Sequence, residues 1–327
     1  MWEAFSLDLD EIATIRLLPR PPFHFDGTVF NPGHFPSRDY RWELGYYWQT
    51  LRWKGKTYGL RLRDLGSIEQ PKVELTIFAE EKPSEPTIKE IAQEVRWRFD
   101  MDSVGVPEFV YRFRQDEYLG PAIRRRPGMR PKSGCSLYEY LVVTVMLQNT
   151  VVRRSVAMLQ ALFERFGRLV SFDGQRLWAF WDPRSVHQAL EEELRALKLG
   201  YPARILKRQA EQFVRGEVDE LELRKIQDKG ALVKMLDGIY GVGTQSACYM
   251  LFEHFHFYDA PEFIPPWEGK IVGWILFGHE VPSEQIRGFL AERYGEFRQL
   301  AFYYLLTDLF WQHREEPIPW LVGLIRL

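Results

Sequence analysis

The hydrophobic pattern of this 327-residue chain changes period once, near residue 100. Before that point the segments read as strands. Tyr40–Trp53 and Tyr58–Leu65 are rich in aromatic and branched residues and are joined by a Lys54-Gly55-Lys56 turn, and Val73–Phe78 is a further strand. Proline- and glycine-rich connections, Pro19–Pro22 and Asn31-Pro32-Gly33, punctuate the region. Pro86-Thr87 then opens a helix to about Phe99, with Thr87 as N-cap and Ile88, Ile91 and Val95 on one face. From about residue 102 onward the pattern is helical almost throughout. Ser136–Asn149 is apolar nearly all round, the mark of a central buried helix. Arg153–Phe166 carries Val156, Leu159, Leu162 and Phe163 on one stripe, with Gly167 to end it. Further helices fit 185–197, 202–215, 231–239, 244–257, 270–277, 283–293 and 296–312. The expected class is α+β: a small antiparallel β domain followed by an all-helical body.

Length alone suggests about two domains. Aromatic residues make up 15% of the chain, enough for a large core and for surfaces that stack on a flat ligand. The formal charge is only −2, so a nucleic-acid binder would have to work through local basic patches. Two cysteines, Cys135 and Cys248, are too few for an iron–sulfur cluster or a cysteine-rich zinc site. They also give no disulfide framework, which fits a reducing compartment. His254 and His256 lie two apart on a helix and point to different faces, so no zinc site is expected. The N-terminus has no apolar signal segment and no run of 18 apolar residues occurs; the chain is expected in the cytoplasm, associated with the nucleoid, or in the nucleus, away from membranes and not secreted.

The sharpest local feature is Ile239-Tyr240-Gly241-Val242-Gly243-Thr244, between an amphipathic helix and a second helix that starts at Thr244. Two glycines around one apolar residue make a tight turn whose backbone N–H groups, at a helix N-terminus, attract a phosphate. The same pattern also serves a plain helical hairpin. Basic residues cluster nearby in sequence: Arg124, Arg125, Arg126, Arg130 and Lys132 in one stretch, and Lys198, Arg204, Lys207 and Arg208 in another. The arginine triplet is equally readable as a solvated loop.

Taken in order, Gly128-Met129-Arg130-Pro131, the buried helix ending Met146-Leu147-Gln148-Asn149, Leu199-Gly200-Tyr201-Pro202, the hairpin, Pro265-Pro266-Trp267-Glu268-Gly269-Lys270-Ile271 and Tyr294-Gly295-Glu296-Phe297 resemble the helix-hairpin-helix DNA glycosylases. The likeness is to the 3-methyladenine DNA glycosylase II and 8-oxoguanine DNA glycosylase branches. It covers about 101–312 by motif and 1–100 by architecture. It implies a β domain over 1–101, a central helical domain over 131–258 that holds the hairpin, and a second helical lobe from 102–130 and 259–327, with the active site between lobes.

What the resemblance implies is an enzyme of base excision that acts as a monomer on damaged double-stranded DNA without a cofactor, flipping a base into a pocket and hydrolysing its N-glycosidic bond. Gly241, Val242, Gly243, Thr244, Gln245 and Arg204 would hold the backbone, with a monovalent cation on the hairpin carbonyls in some members. Gln148 and Asn149 would fill the gap left by the base, although capping explains them too. Relatives that cleave the strand carry a lysine where Gln245 stands; glutamine forms no Schiff base, so lyase chemistry is not expected. Where the family has Pro-Val-Asp, this chain departs. Counting from Pro265 the carboxylate position is Trp267; counting from Pro266 it is Glu268, which is the better match, with Asp259 as the backup. Tyr249, Trp267 and Phe297 would form an aromatic pocket suited to cationic alkylated purines. A lesion-binding protein without activity, or an enzyme for 8-oxoguanine or uracil, is the alternative.

Overall fold

The computed structural model describes residues 6–148, 150–260, 264–322 and 324. Strands β1 (Leu7–Asp8) and β2 (Asp10–Leu17) come first, then a short helix α1 (Phe25–Val29) capped by His24. β3 (Tyr40–Glu43), β4 (Tyr46–Trp53), β5 (Lys56–Asp64) and β6 (Val73–Ala79) complete an antiparallel sheet of order β2-β6-β5-β4-β3. The segment Tyr40–Trp53, expected as one strand, is two, because the chain reverses at Leu44-Gly45. The Lys54-Gly55 turn is as expected, and both its residues have positive φ (49° and 78°), the geometry that matches strand twist. Helix α2 (Glu85–Arg98) packs Ile88, Ile91, Ala92 and Val95 on Leu60, Leu62, Leu75 and Ile77 of the sheet. Its N-cap is Ser84 and not Thr87: the Ser84 hydroxyl accepts the Thr87 N–H at 3.4 Å, which places Pro86 in the first turn.

The helical body follows: α3 (Gly105–Phe113), α4 (Gly120–Arg125), α5 (Leu137–Leu147) and α6 (Val152–Phe166). α5 is buried nearly all round. Val142, Val145 and Met146 face one core with Leu159, Leu162 and Phe163, while Leu137 and Leu141 face another with Leu236 and Met250. Its start is fixed by a capping box between Ser136 and Glu139. The helical reading passes over one element, a hairpin of β7 (Arg168–Phe172) and β8 (Gln175–Ala179) turning at Asp173-Gly174. β1 pairs with β7, and Phe172 packs on Phe78, so the hairpin couples the N-terminal sheet to the body.

Next come α7 (Pro183–Gln188), α8 (Glu191–Ala196), α9 (Pro202–Val214), α10 (Glu220–Leu223), α11 (Lys229–Asp237) and α12 (Thr244–Glu253). The chain ends through α13 (Pro266–Phe277), α14 (Ser283–Tyr294), α15 (Arg298–Glu315) and α16 (Pro319–Val322). α13 to α15 share a core with α3 and α4, built on Val106, Phe109, Ile271, Ile286, Leu300 and Tyr304. No described helix is long and apolar enough to cross a membrane.

A buried charge network fastens these parts together. Arg98 on α2 pairs with Glu94 at 2.7 Å and approaches Glu139 at 3.8 Å. Arg224 joins Glu94 at 2.6 Å and also binds Glu220, whose Oε1 meets the His254 Nε2 at 2.9 Å. The network thus runs from the N-terminal domain, past the start of α5, to the residue that follows α12.

Candidate active site and nucleic-acid interface

The turn between α11 and α12 is built from both sides. Gly241 has φ +78°, and a methyl group there would sit 2.5 Å from Ile205 Cγ2 on α9, so only glycine suits the position. Glutamine amides hold the carbonyls of the turn: Gln212 donates to Gly238 O at 3.0 Å, Gln209 to Tyr240 O at 3.0 Å, and Gln148 to Gly241 O at 3.4 Å. Ile239 O accepts the Val242 N–H at 3.0 Å. Each of these carbonyls thus accepts a hydrogen bond within the protein.

Gly243 caps α12 without any side-chain bond to the helix, is exposed, and has nothing within 4 Å of where a Cβ would be. The first N–H groups of α12, at exposed Thr244 and Gln245, have no acceptor within the helix and carry the positive end of its dipole. Arg204 is exposed on α9, the helix against which the turn packs. Gln148 is brought directly to the turn, with its own carbonyl accepting from Tyr201 Oη at 3.0 Å. Asn149 lies outside the described residues. Leu147 and Val151, both exposed, flank this position, an unusual place for large apolar side chains. Sequence reading did not single them out.

Most of the basic stretch 120–134 is turned inward, with Arg124 exposed and donating to Arg114 O at 3.0 Å. Arg126 is buried and binds Asp308 at 2.8 Å and Glu315 at 2.7 Å on α15. Arg125 shares Asp308 at 3.0 Å, while Arg130 is wholly buried and donates to Arg20 O at 2.8 Å. Lys132 is buried, donates to Val29 O, and lies 4.7 Å from the Tyr47 ring centre. Arg126, Arg130 and Lys132 thus fasten the chain to itself.

Helix α13 begins with Pro265 as cap and Pro266 in the first turn, so Glu268 is its third residue. Tyr249, on α12, donates its hydroxyl to Glu268 Oε2 at 3.2 Å. Burial drives the Glu268 carboxyl up to about 8; the tyrosine bond opposes this and the nearby Glu253 adds to it. The α13 N-terminus works with the tyrosine, since its dipole favours the carboxylate. Trp267, beside it, is 45% exposed. Gln245 places no amine at this site. Asp259, the backup carboxylate, is tied to Lys229 at 2.6 Å.

Phe297 is packed among the core aromatics. It is only 4% exposed, with its ring centre 5.8 Å from that of Phe109 and 6.5 Å from that of Tyr258. It is core, as an aromatic in a helical pattern usually is.

Sequence reading also missed a second carboxyl. Glu253 is the last residue of α12, one turn beyond Tyr249 and on the same face. Tyr140 on α5 donates to its Oε2 at 2.6 Å. Burial pushes Glu253 up to about 7, against the opposing bond from Tyr140. Glu253 and Tyr140 line a cavity of about 260 Å³ between α5 and the N-terminal sheet. A carboxylate within the apolar run Met250-Leu251-Phe252-Glu253-His254-Phe255 is the signal that could have found it.

No family model matches the chain, and no curated protein matches it by sequence. Solved structures do match. A 3-methyladenine DNA glycosylase from Archaeoglobus fulgidus superimposes with a TM-score of 0.69 at 19% identity, over 90% of this chain and 98% of that one. An 8-oxoguanine glycosylase/lyase from Clostridium acetobutylicum, bound to double-stranded DNA with cytosine opposite 8-oxoguanine, superimposes with a TM-score of 0.66 at 20% identity, over 95% of this chain and 98% of that one. The chain has the fold of the helix-hairpin-helix DNA glycosylases.

Proposed function

We propose that the chain is a monofunctional DNA glycosylase, binding damaged double-stranded DNA as a monomer and hydrolysing the N-glycosidic bond of an alkylated purine. In this reading the site lies between a central lobe over 131–258 and a second lobe from 102–130 and 259–327. The observation that carries it is the position of Glu268: a partly buried carboxyl in the first turn of α13, held by a tyrosine from the helix whose N-terminus follows the glycine turn.

That arrangement has the parts hydrolysis needs. Backbone N–H groups at Gly243, Thr244 and Gln245 take a phosphate, which positions the adjoining sugar without reading sequence. The Glu268 carboxylate faces the positive charge that develops at C1′ as the bond to the base breaks, and accepts a proton from the water that adds there. An N-alkylated purine is already cationic and leaves as a neutral base. Tyr249 and exposed Trp267 supply the rings on which a flat cation stacks. Without an amine at Gln245 the product is an intact strand with an abasic site.

The test is incubation with duplex DNA containing 7-methylguanine. Free base should appear, together with a strand that breaks only on treatment with alkali. Glu268→Gln should lower release at least about 100-fold while binding persists. Breakage without alkali, or a covalent complex trapped by borohydride, refutes the monofunctional assignment. Binding without release across a panel of lesions would leave a lesion-binding protein on this fold.

A further inference from the structure

Glu253 belongs both to the cavity wall and to the surroundings of Glu268. It lines the cavity, it shares a helix face with Tyr249, and its charge reaches Glu268. The two carboxyls sit at opposite ends of helices: Glu268 in the first turn of α13, where the dipole favours the ionised form, and Glu253 as the last residue of α12, where the dipole favours the neutral one. With Oε2 accepting from Tyr140, the proton of a neutral Glu253 belongs on the other oxygen.

We infer that Glu253 is a second catalytic carboxyl, a general acid that protonates a base seated in this cavity and so extends the substrates from cationic alkylated purines to neutral damaged purines. The inference rests on the glycosylase reading. A neutral purine is a poor leaving group, and a positioned acid relieves that. The proton passes from Glu253 to a ring nitrogen of the base, and the C1′–N bond breaks with its electron pair going to the base. Water adds to C1′ and its proton goes to the Glu268 carboxylate. The products are the free base and an abasic sugar, and Glu253 regains its proton from solvent.

The surroundings keep Glu253 neutral. Tyr140 faces it from α5, Tyr303 from α15, Glu268 from α13 and Tyr249 from its own helix, and none of these is a cation. Lys132, His34, Asp39 and Cys135 share the cavity wall, and no described cation pairs with Glu253. Burial holds its carboxyl up at about 7, so the acid form is well populated at neutral pH. The cavity wall also carries polar groups that a neutral base can meet, Asp39, Ser37 and Gln49.

The experiment compares Glu253→Gln with the unaltered protein on duplexes containing 8-oxoguanine or hypoxanthine, both neutral, and on 7-methylguanine, a cation. Glutamine keeps the size and the tyrosine bond but has no acidic proton. Release of the neutral bases should fall about 100-fold or more while release of 7-methylguanine stays within about threefold. Because Glu268 must be ionised while Glu253 keeps its proton, the unaltered protein's activity on neutral bases should be bell-shaped, highest between about 7 and about 8 and falling above that, and Glu253→Gln should lose the alkaline fall. Glu253→Asp should recover part of the rate. Equal effects on both kinds of lesion, or none on either, overturn the inference, as does an unaltered protein that releases 7-methylguanine but neither neutral base. In that last case the proposed function stands, whereas release of no base at all would sink both.

Discussion

The contact between Tyr249 and Glu268 sets the pH at which the site works. In the proposed mechanism Glu268 acts as a carboxylate, and burial has pushed its pKa up to about 8. Release of an alkylated base should therefore rise with pH through that value. The Tyr249 hydroxyl stabilises the charged form, so Tyr249→Phe raises the pKa further and moves the rise to higher pH. One such bond is worth about 1 kcal/mol, or somewhat less than one pKa unit. The expected result is a loss of roughly three- to tenfold at pH 7 that largely disappears by about pH 9, seen in a pH profile of base release. A uniform loss at all pH values would mean that the ring, and not the hydroxyl, is what matters. At this scale Glu268 was legible because counting from Pro266 leaves a carboxylate in the first turn of a helix. Glu253 was less so: a carboxylate in an apolar run marks it as unusual, but its partner Tyr140 lies 113 positions away and nothing local says what it meets. Phe297 misled for a related reason: helical spacing shows that an aromatic is turned inward, not whether it meets a pocket or a core.

Among the elements, the glycine turn offers a contrast between two neighbouring positions. Gly241 has positive φ and Ile205 lies against it, so Gly241→Ala should destabilise the protein by about 1–3 kcal/mol and lower its melting temperature by several degrees. Gly243 has extended backbone and open space, so Gly243→Ala should cost less than about 1 kcal/mol, the price of a poorer cap. Its effect should fall on DNA, with affinity weakened across all lesions alike, because the methyl group crowds a backbone–phosphate contact. Thermal unfolding and a binding titration at fixed salt separate the two. Unchanged affinity in Gly243→Ala would remove the turn from the interface. Most helices were legible from their periodicity, to within a few residues at their ends. The β7–β8 hairpin was not, although Phe172-Asp173-Gly174-Gln175 between apolar residues is a strong hairpin signal. The long helical stretch on either side outweighed a local turn. What the hairpin does, pairing with β1 and meeting Phe78, is long-range and has no local trace.

For the molecule as a whole, charge matters more within than without. A net charge of −2 says little, since many of the ions are spent on internal pairs. The network of Glu94, Arg98, Glu139, Glu220, Arg224 and His254 ties α2, α5 and α10 to the end of α12, which carries Tyr249 and Glu253. Glu220 is its hub. It binds Arg224 and His254, and its Oε2 accepts the Leu137 N–H at 2.8 Å. Burial alone would push its pKa up, but His254, Arg224 and Arg98 outweigh that and hold it far below the usual carboxylate range. A carboxyl whose folded pKa lies below its unfolded value, about 4.3, stabilises the fold above that value and ceases to do so as pH falls through the folded pKa. Glu220→Gln leaves the buried Arg224 short of a charge and should cost about 3 kcal/mol at pH 7. The gap between the two proteins should narrow as pH falls from 5 towards 3, because over that range Glu220 takes up a proton in the unfolded chain while the fold keeps it ionised, which draws the unaltered protein towards unfolding and leaves the variant untouched. Melting temperatures across that range measure it. A gap that stays constant down to pH 3 would mean that Glu220 contributes through its shape and its bond to Leu137 N, and that the charges around it do not hold the end of α12 in place.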